Sequence, residues 1–184
     1  MNFISRLVTT AFILPLSIGG APAPEAKAWG LAVDGGHNQL VGAIRSTGIQ
    51  FKLNPIECQQ RESLGWYWAS QNEMVICQEQ ATAAGVSGYE VQWTAEDLDT
   101  LRHEAQHLVQ DCMVGGRRDG NLGSVYRDPI GLAKEVLGGS AIGHILNAYS
   151  NLDDHGKVME LEAFSVAALN DPAEQVRDIN KFCF

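Results

Sequence analysis

Basic residues are scarce in this sequence: 13 Lys and Arg stand against 22 Asp and Glu, a formal net charge of −9 over 184 residues. Nucleic-acid backbones are gripped by clustered Lys and Arg. The one adjacent basic pair here is Arg117-Arg118, so no nucleic-acid partner is expected. A bilayer-spanning run is also missing, because the apolar stretch Leu7 to Ile18 falls short of the roughly 20 residues a transmembrane helix needs. No cysteine follows that stretch closely, so a lipid anchor has no attachment point. No two cysteines share the Cys-x-x-Cys spacing of a zinc knuckle, which argues against cysteine-ligated metal. Internal repeats and low-complexity tracts are absent after the N-terminal segment.

What is present begins with the marks of export. Arg6 supplies a positive start, the apolar stretch follows, and Ala26-Lys27-Ala28 ends in a small-x-small pattern suited to a signal peptidase. Pro15, Gly19-Gly20 and the Pro22/Pro24 spacing oppose a buried helix or membrane anchor there. Residues 1–28 are therefore expected to be a signal peptide cleaved before Trp29. Residues 29–184 are expected to form a single domain that is secreted or periplasmic and has no stable membrane association afterwards. All four cysteines, Cys58, Cys77, Cys112 and Cys183, lie in that part. An even number in an exported chain reads as two disulfides with three possible pairings. Cys58–Cys77 and Cys112–Cys183 are the favoured ones: the first closes a local hairpin region, and the second ties a central helix to the C-terminus.

The pattern along the chain indicates an α+β domain. His37 to Ser46 reads as a short helix stopped by Gly48. Ile49, Phe51 and Leu53 alternate with polar residues as in a half-buried strand. Gly65 to Ala69 and Glu73 to Cys77 are two further strands, turning at Ser70-Gln71-Asn72, which gives a three-stranded, mostly antiparallel sheet. Ala81 to Gly88 reads as loop. Thr94 caps a long helix with Asp97 at the reciprocal position. Leu98, Leu101, Ala105, Leu108 and Cys112 form its apolar face, and Gly115-Gly116 ends it. The remainder reads as all-helical, with starts at Asp128-Pro129, Asp153-Asp154 and Asp171-Pro172 and an interruption at Gly138-Gly139.

The long helix carries His103-Glu104-Ala105-Gln106-His107. Histidines four apart project from one side of a helix, and that side lies opposite the apolar face, toward a cleft. Zn²⁺ takes imidazole nitrogens readily, and a catalytic zinc uses three protein ligands plus a water. The metal lowers the water's pKa toward neutrality, and Glu104 is placed to remove its proton as it attacks a carbonyl.

With these residues the sequence resembles the zincin metallopeptidases. The resemblance implies a zincin-like fold, one zinc ion, peptide or protein substrates, and a third ligand that defines the subtype. Metzincins add a Gly and a third His, where this chain has Gln110 and Met113. Gluzincins take a Glu from a later helix, and Glu160-Leu161-Glu162-Ala163 is similar to the Glu-x-x-Ala helices of HtpX-type and ImmA/IrrE-type peptidases, with Phe164 where those have Asp or Asn. Glu160 is the favoured ligand because Ala163 and Ala167 share its side of the helix and allow close approach. Glu162 is the alternative ligand, or a supporting ion-pair residue.

His155 and His144 are weaker candidates for ligands or oxyanion stabilisers, and Tyr126 and Tyr149 for hydrogen-bond donors to the oxyanion. Trp66 or Trp68 are candidates to line a substrate cleft beside the sheet edge. The expected function is a secreted zinc-dependent metallopeptidase, a hydrolase with Glu104 as general base and His103, His107 and Glu160 on the metal. The alternatives are an inactive zinc-binding scaffold and a zinc-dependent cell-wall amidase.

Overall fold

The computed structural model describes residues 34–115 and 120–184. The expected signal peptide, its cleavage point before Trp29 and the Arg117-Arg118 pair lie outside the described residues.

Helix α1 (Gly35–Ser46) starts at Asp34, whose side chain accepts from the His37 amide. Strands β1 (Gln50–Leu53), β2 (Gly65–Trp68) and β3 (Glu73–Ile76) follow, with a 3-10 turn, Ile56–Gln60, that carries Cys58. Their spatial order is β1-β3-β2. The β2–β3 hairpin is antiparallel, while β1 joins β3 in parallel, so the sheet is mixed. Asn72 turns the hairpin in the left-handed region, φ 54°, which Asn tolerates better than most residues. The segment after β3, which reads as loop, contains a short helix, α2 (Glu79–Ala84). Its first amide donates to Asp97 Oδ1 at 2.9 Å. Contact with another element thus fixes a helix too short to declare itself by periodicity.

The long helix α3 (Ala95–Met113) has the full capping box between Thr94 and Asp97. Helices α4 (Pro129–Val136), α5 (Gly138–Ala148), α6 (Asp154–Leu169) and α7 (Pro172–Phe182) complete the chain. Gly138 divides α4 from α5 at φ 75°, a backbone state that costs glycine little.

Period-two alternation sorts the sheet residues onto two faces. Tyr67, Met74 and Ile76 join Leu40, Ile44, Leu98, Leu101, Leu108 and Ile179 in the main core. Trp66, Val75, Cys58 and Cys77 form a smaller cluster on the other face, with Trp68 packed against it. Helix α3 is central, packed against α6, α7 and β2, so almost its whole circumference is buried.

Both disulfides form as Cys58–Cys77 and Cys112–Cys183. Among the described residues no cysteine is free, and no helix is long and apolar enough to cross a membrane. The Cys112–Cys183 bridge closes 71 residues and Cys58–Cys77 closes 19. In the chain-entropy model, replacing the first pair with alanine costs about 4 kcal/mol and the second about 3 kcal/mol. Thermal denaturation of the two double variants is expected to rank them in that order.

Candidate metal centre

Helices α3 and α6 bring three donors together. His103 and His107 lie one turn apart on α3, and Glu160 reaches them from α6. All three are buried and their donor atoms fall within 4.8 Å of one another. The two Nε2 atoms are 3.1 Å apart. His103 Nε2 lies 3.4 Å from Glu160 Oε2, and His107 Nε2 lies 3.6 Å from Oε1. A tetrahedral ion with bonds of about 2.0–2.1 Å needs donor–donor edges of about 3.3 Å. The Glu160 carboxyl oxygens face the two imidazoles at 3.4 and 3.6 Å, long for hydrogen bonds, and His103 Nδ1 is buried without a hydrogen-bond partner, an arrangement that is costly without a further partner. Two imidazoles and one carboxylate at these spacings could hold a metal ion.

The electrostatics of the three residues are those of a proton standing in for a cation. Burial alone lowers the His107 pKa, but the Glu160 charge and its hydrogen bond override this and raise it to about 9. Burial alone would raise the Glu160 carboxyl, yet the His107 charge and both imidazoles hold it below its ordinary value. Burial, with the His107 charge adding to it, lowers His103 and keeps it neutral.

Glu104 stands beside this group, fully buried. Burial and the nearby Glu160 charge raise its pKa to about 8, against opposition from His107 and the Tyr67 backbone. Neither of its oxygens has a well-formed hydrogen bond. Strand β2 approaches α3 closely here. A Cβ on Gly65 would meet Thr100 Cγ2 at 2.7 Å, the Val75 carbonyl at 2.8 Å and Glu104 Cγ at 3.3 Å. Gly65 therefore lets the strand lie against the helix at Glu104, and a glycine opening an aromatic strand was the available signal for such an approach.

Stability without metal should then fall as pH rises. Folding holds a proton on Glu104 above its unfolded value of 4.5 and on His107 above 6.5. Both contributions are fully present below those unfolded values and are lost as pH climbs through about 8 and about 9. The melting temperature of metal-free protein is expected to decline between pH 6 and pH 9. A metal ion held there would have to displace the His107 proton, so its affinity would rise with pH and oppose that trend.

The other candidates lie elsewhere. Glu162, two residues from Glu160, faces away from the three donors and accepts from Gln106 and Gln110, each at 3.0 Å. It also accepts from the backbone amides of Val125 and Tyr126 and from the Ser124 hydroxyl. His155 bonds the Leu122 carbonyl at 2.8 Å, and His144 is exposed on α5. Tyr126 faces Glu174, Asp178 and Glu162, and burial with those charges pushes it up to about 12. Tyr149 packs on Phe164 at 6.0 Å, and Phe164 packs on His103 at 4.3 Å. Trp66 and Trp68 sit with the small cluster on the sheet face away from the main core.

Sequence reasoning expected the two histidines to face a cleft, but α6 covers that side of α3, and His103, Glu104, His107 and Glu160 are each at most 1 % exposed. Reasoning from helix periodicity alone also missed Gln110, whose Oε1 lies 2.8 Å from His107 Nδ1. Its position three residues after His107 was the available signal.

No curated protein and no solved structure matches this chain. A family model does match it over residues 3–184, and by that match the chain belongs to the family described as Domain of unknown function (DUF8637).

Proposed function

We propose that this protein is a secreted zinc-dependent peptidase, with His103, His107 and Glu160 as metal ligands and Glu104 as general base. The observation that carries the reading is the donor triangle of 3.1, 3.4 and 3.6 Å, set beside the fully buried carboxyl of Glu104. A zinc ion held there supplies Lewis acidity and brings the pKa of a bound water toward neutrality. Glu104, protonated near neutral pH in the metal-free protein, would become a carboxylate beside a dication. In that state it can take a proton and pass it to a leaving amine. Strand β2 is one of the two outer strands of the sheet and meets the site at Gly65, so it offers main-chain groups to an extended peptide. The two disulfides support export.

The burial of all four residues favours one second reading, a zinc-holding protein without turnover, since hydrolysis requires the site to open. Incubating zinc-loaded protein with a diverse peptide mixture separates the two. The peptidase reading expects new cleavage products that a chelator abolishes and added zinc restores. Stoichiometric zinc without any cleavage product supports the scaffold instead.

A further inference from the structure

We propose that Glu162 is a positioning residue for the metal centre, acting on His107 through Gln110. The inference rests on the metal-site reading above and adds a component to it. Glu162 does not touch the three donors. Its partners are all donors: the side-chain amides of Gln106 and Gln110, the amides of Val125 and Tyr126, and the Ser124 hydroxyl. That set is complementary to a carboxylate and to nothing that itself donates.

The consequence passes along the Gln110 side chain. Its Nε2 lies 3.0 Å from Glu162 Oε1 and 3.1 Å from the Met159 carbonyl. Both are acceptors, so the amide NH₂ must face them and Oε1 must face His107 Nδ1, at 2.8 Å. An acceptor at that distance requires the Nδ1–H form of the ring. With Nδ1–H held there, the proton that must leave for a metal is the one on Nε2, and the lone pair then faces His103 and Glu160. Glu162 thus fixes the Gln110 amide, which fixes the His107 tautomer and ring orientation. The other ligand has no such support, since His103 Nδ1 is buried without a partner and packs under Phe164. The same Glu162 carboxylate holds the Ser124–Tyr126 segment, so this loop and His107 hang on one group.

The test is zinc affinity by chelator competition for wild type, Gln110→Met, Glu162→Gln and the double variant, with Ser46→Ala, exposed on α1, as control. Each of the first two singles is expected to weaken zinc about 10–100-fold, the range for partners of a metal-bound histidine. The double variant is expected to be no weaker than the worse single, because one residue acts through the other. Ser46→Ala is expected to stay within about twofold of wild type, since it touches neither Glu162 nor Gln110. A Glu162→Gln affinity equal to wild type, or losses that multiply in the double variant, would overturn the relay. If the variants do not fold, proton–nitrogen NMR of zinc-loaded wild type decides. A His107 Nδ1–H shifted downfield of the His103 one, as a hydrogen-bonded proton should be, supports the relay, and equivalent signals refute it. Failure of wild type to bind zinc would instead overturn the metal-site reading.

Discussion

Glu104→Gln is expected to keep one zinc per chain while lowering peptide hydrolysis by about 10²–10⁴-fold, the usual contribution of a positioned general base. The amide matches the carboxyl in size, and the tight approach of Gly65 to Glu104 Cγ is preserved. Because the metal-free carboxyl is already protonated near neutral pH, with its pKa at about 8, its replacement by a neutral group removes little charge from the fold. The fold and the ligand set should therefore survive, and the proton acceptor alone is lost. Metal content and turnover measured on the same preparation separate the two effects. Near-normal turnover with zinc bound would rule out Glu104 as the base.

Glu160→Gln is expected to weaken zinc by more than about 100-fold, beyond the range of groups that act only through another residue. The substitution removes the one negative charge among the three donors and replaces a good oxygen donor with a poor one. It also removes the partner that, against burial, raises His107 to about 9 in the metal-free protein, so the histidine's pKa should fall. Glu162→Gln is expected to weaken zinc less, because Glu162 faces Gln106, Gln110 and the Ser124–Tyr126 segment. Chelator competition ranks the two directly. A larger loss at Glu162 would move the ligand role there and contradict the donor geometry.

Local chemistry explains which parts of this arrangement were legible beforehand. The α3 boundaries follow from the Thr94–Asp97 box, and the later helices from Asp128-Pro129, Asp153 and Asp171-Pro172, all of which cap as their sequence suggests. The hairpin was readable from its alternation, but the parallel pairing of β1 with β3 was not. That pairing depends on how residues 54–64 carry the chain past β3 to β2, which no local pattern records. The paired histidines are visible at i and i+4, and Glu160 by its alanine neighbours. The covering of the site was hidden, because α6 carries buried residues on most of its faces and so has no single apolar stripe to announce its docking side. Glu162 was legible as an alternative ligand or supporting residue, but its link to Gln110 was not, since their bond spans 52 positions.

Metal analysis of folded, disulfide-intact protein, wild type beside His103→Ala, tests the central claim most directly. One zinc per chain in wild type after dialysis, and essentially none in the variant, is the expected result. Wild type that cannot be loaded with zinc, or a variant that retains it at full stoichiometry, would contradict a centre built on His103, His107 and Glu160.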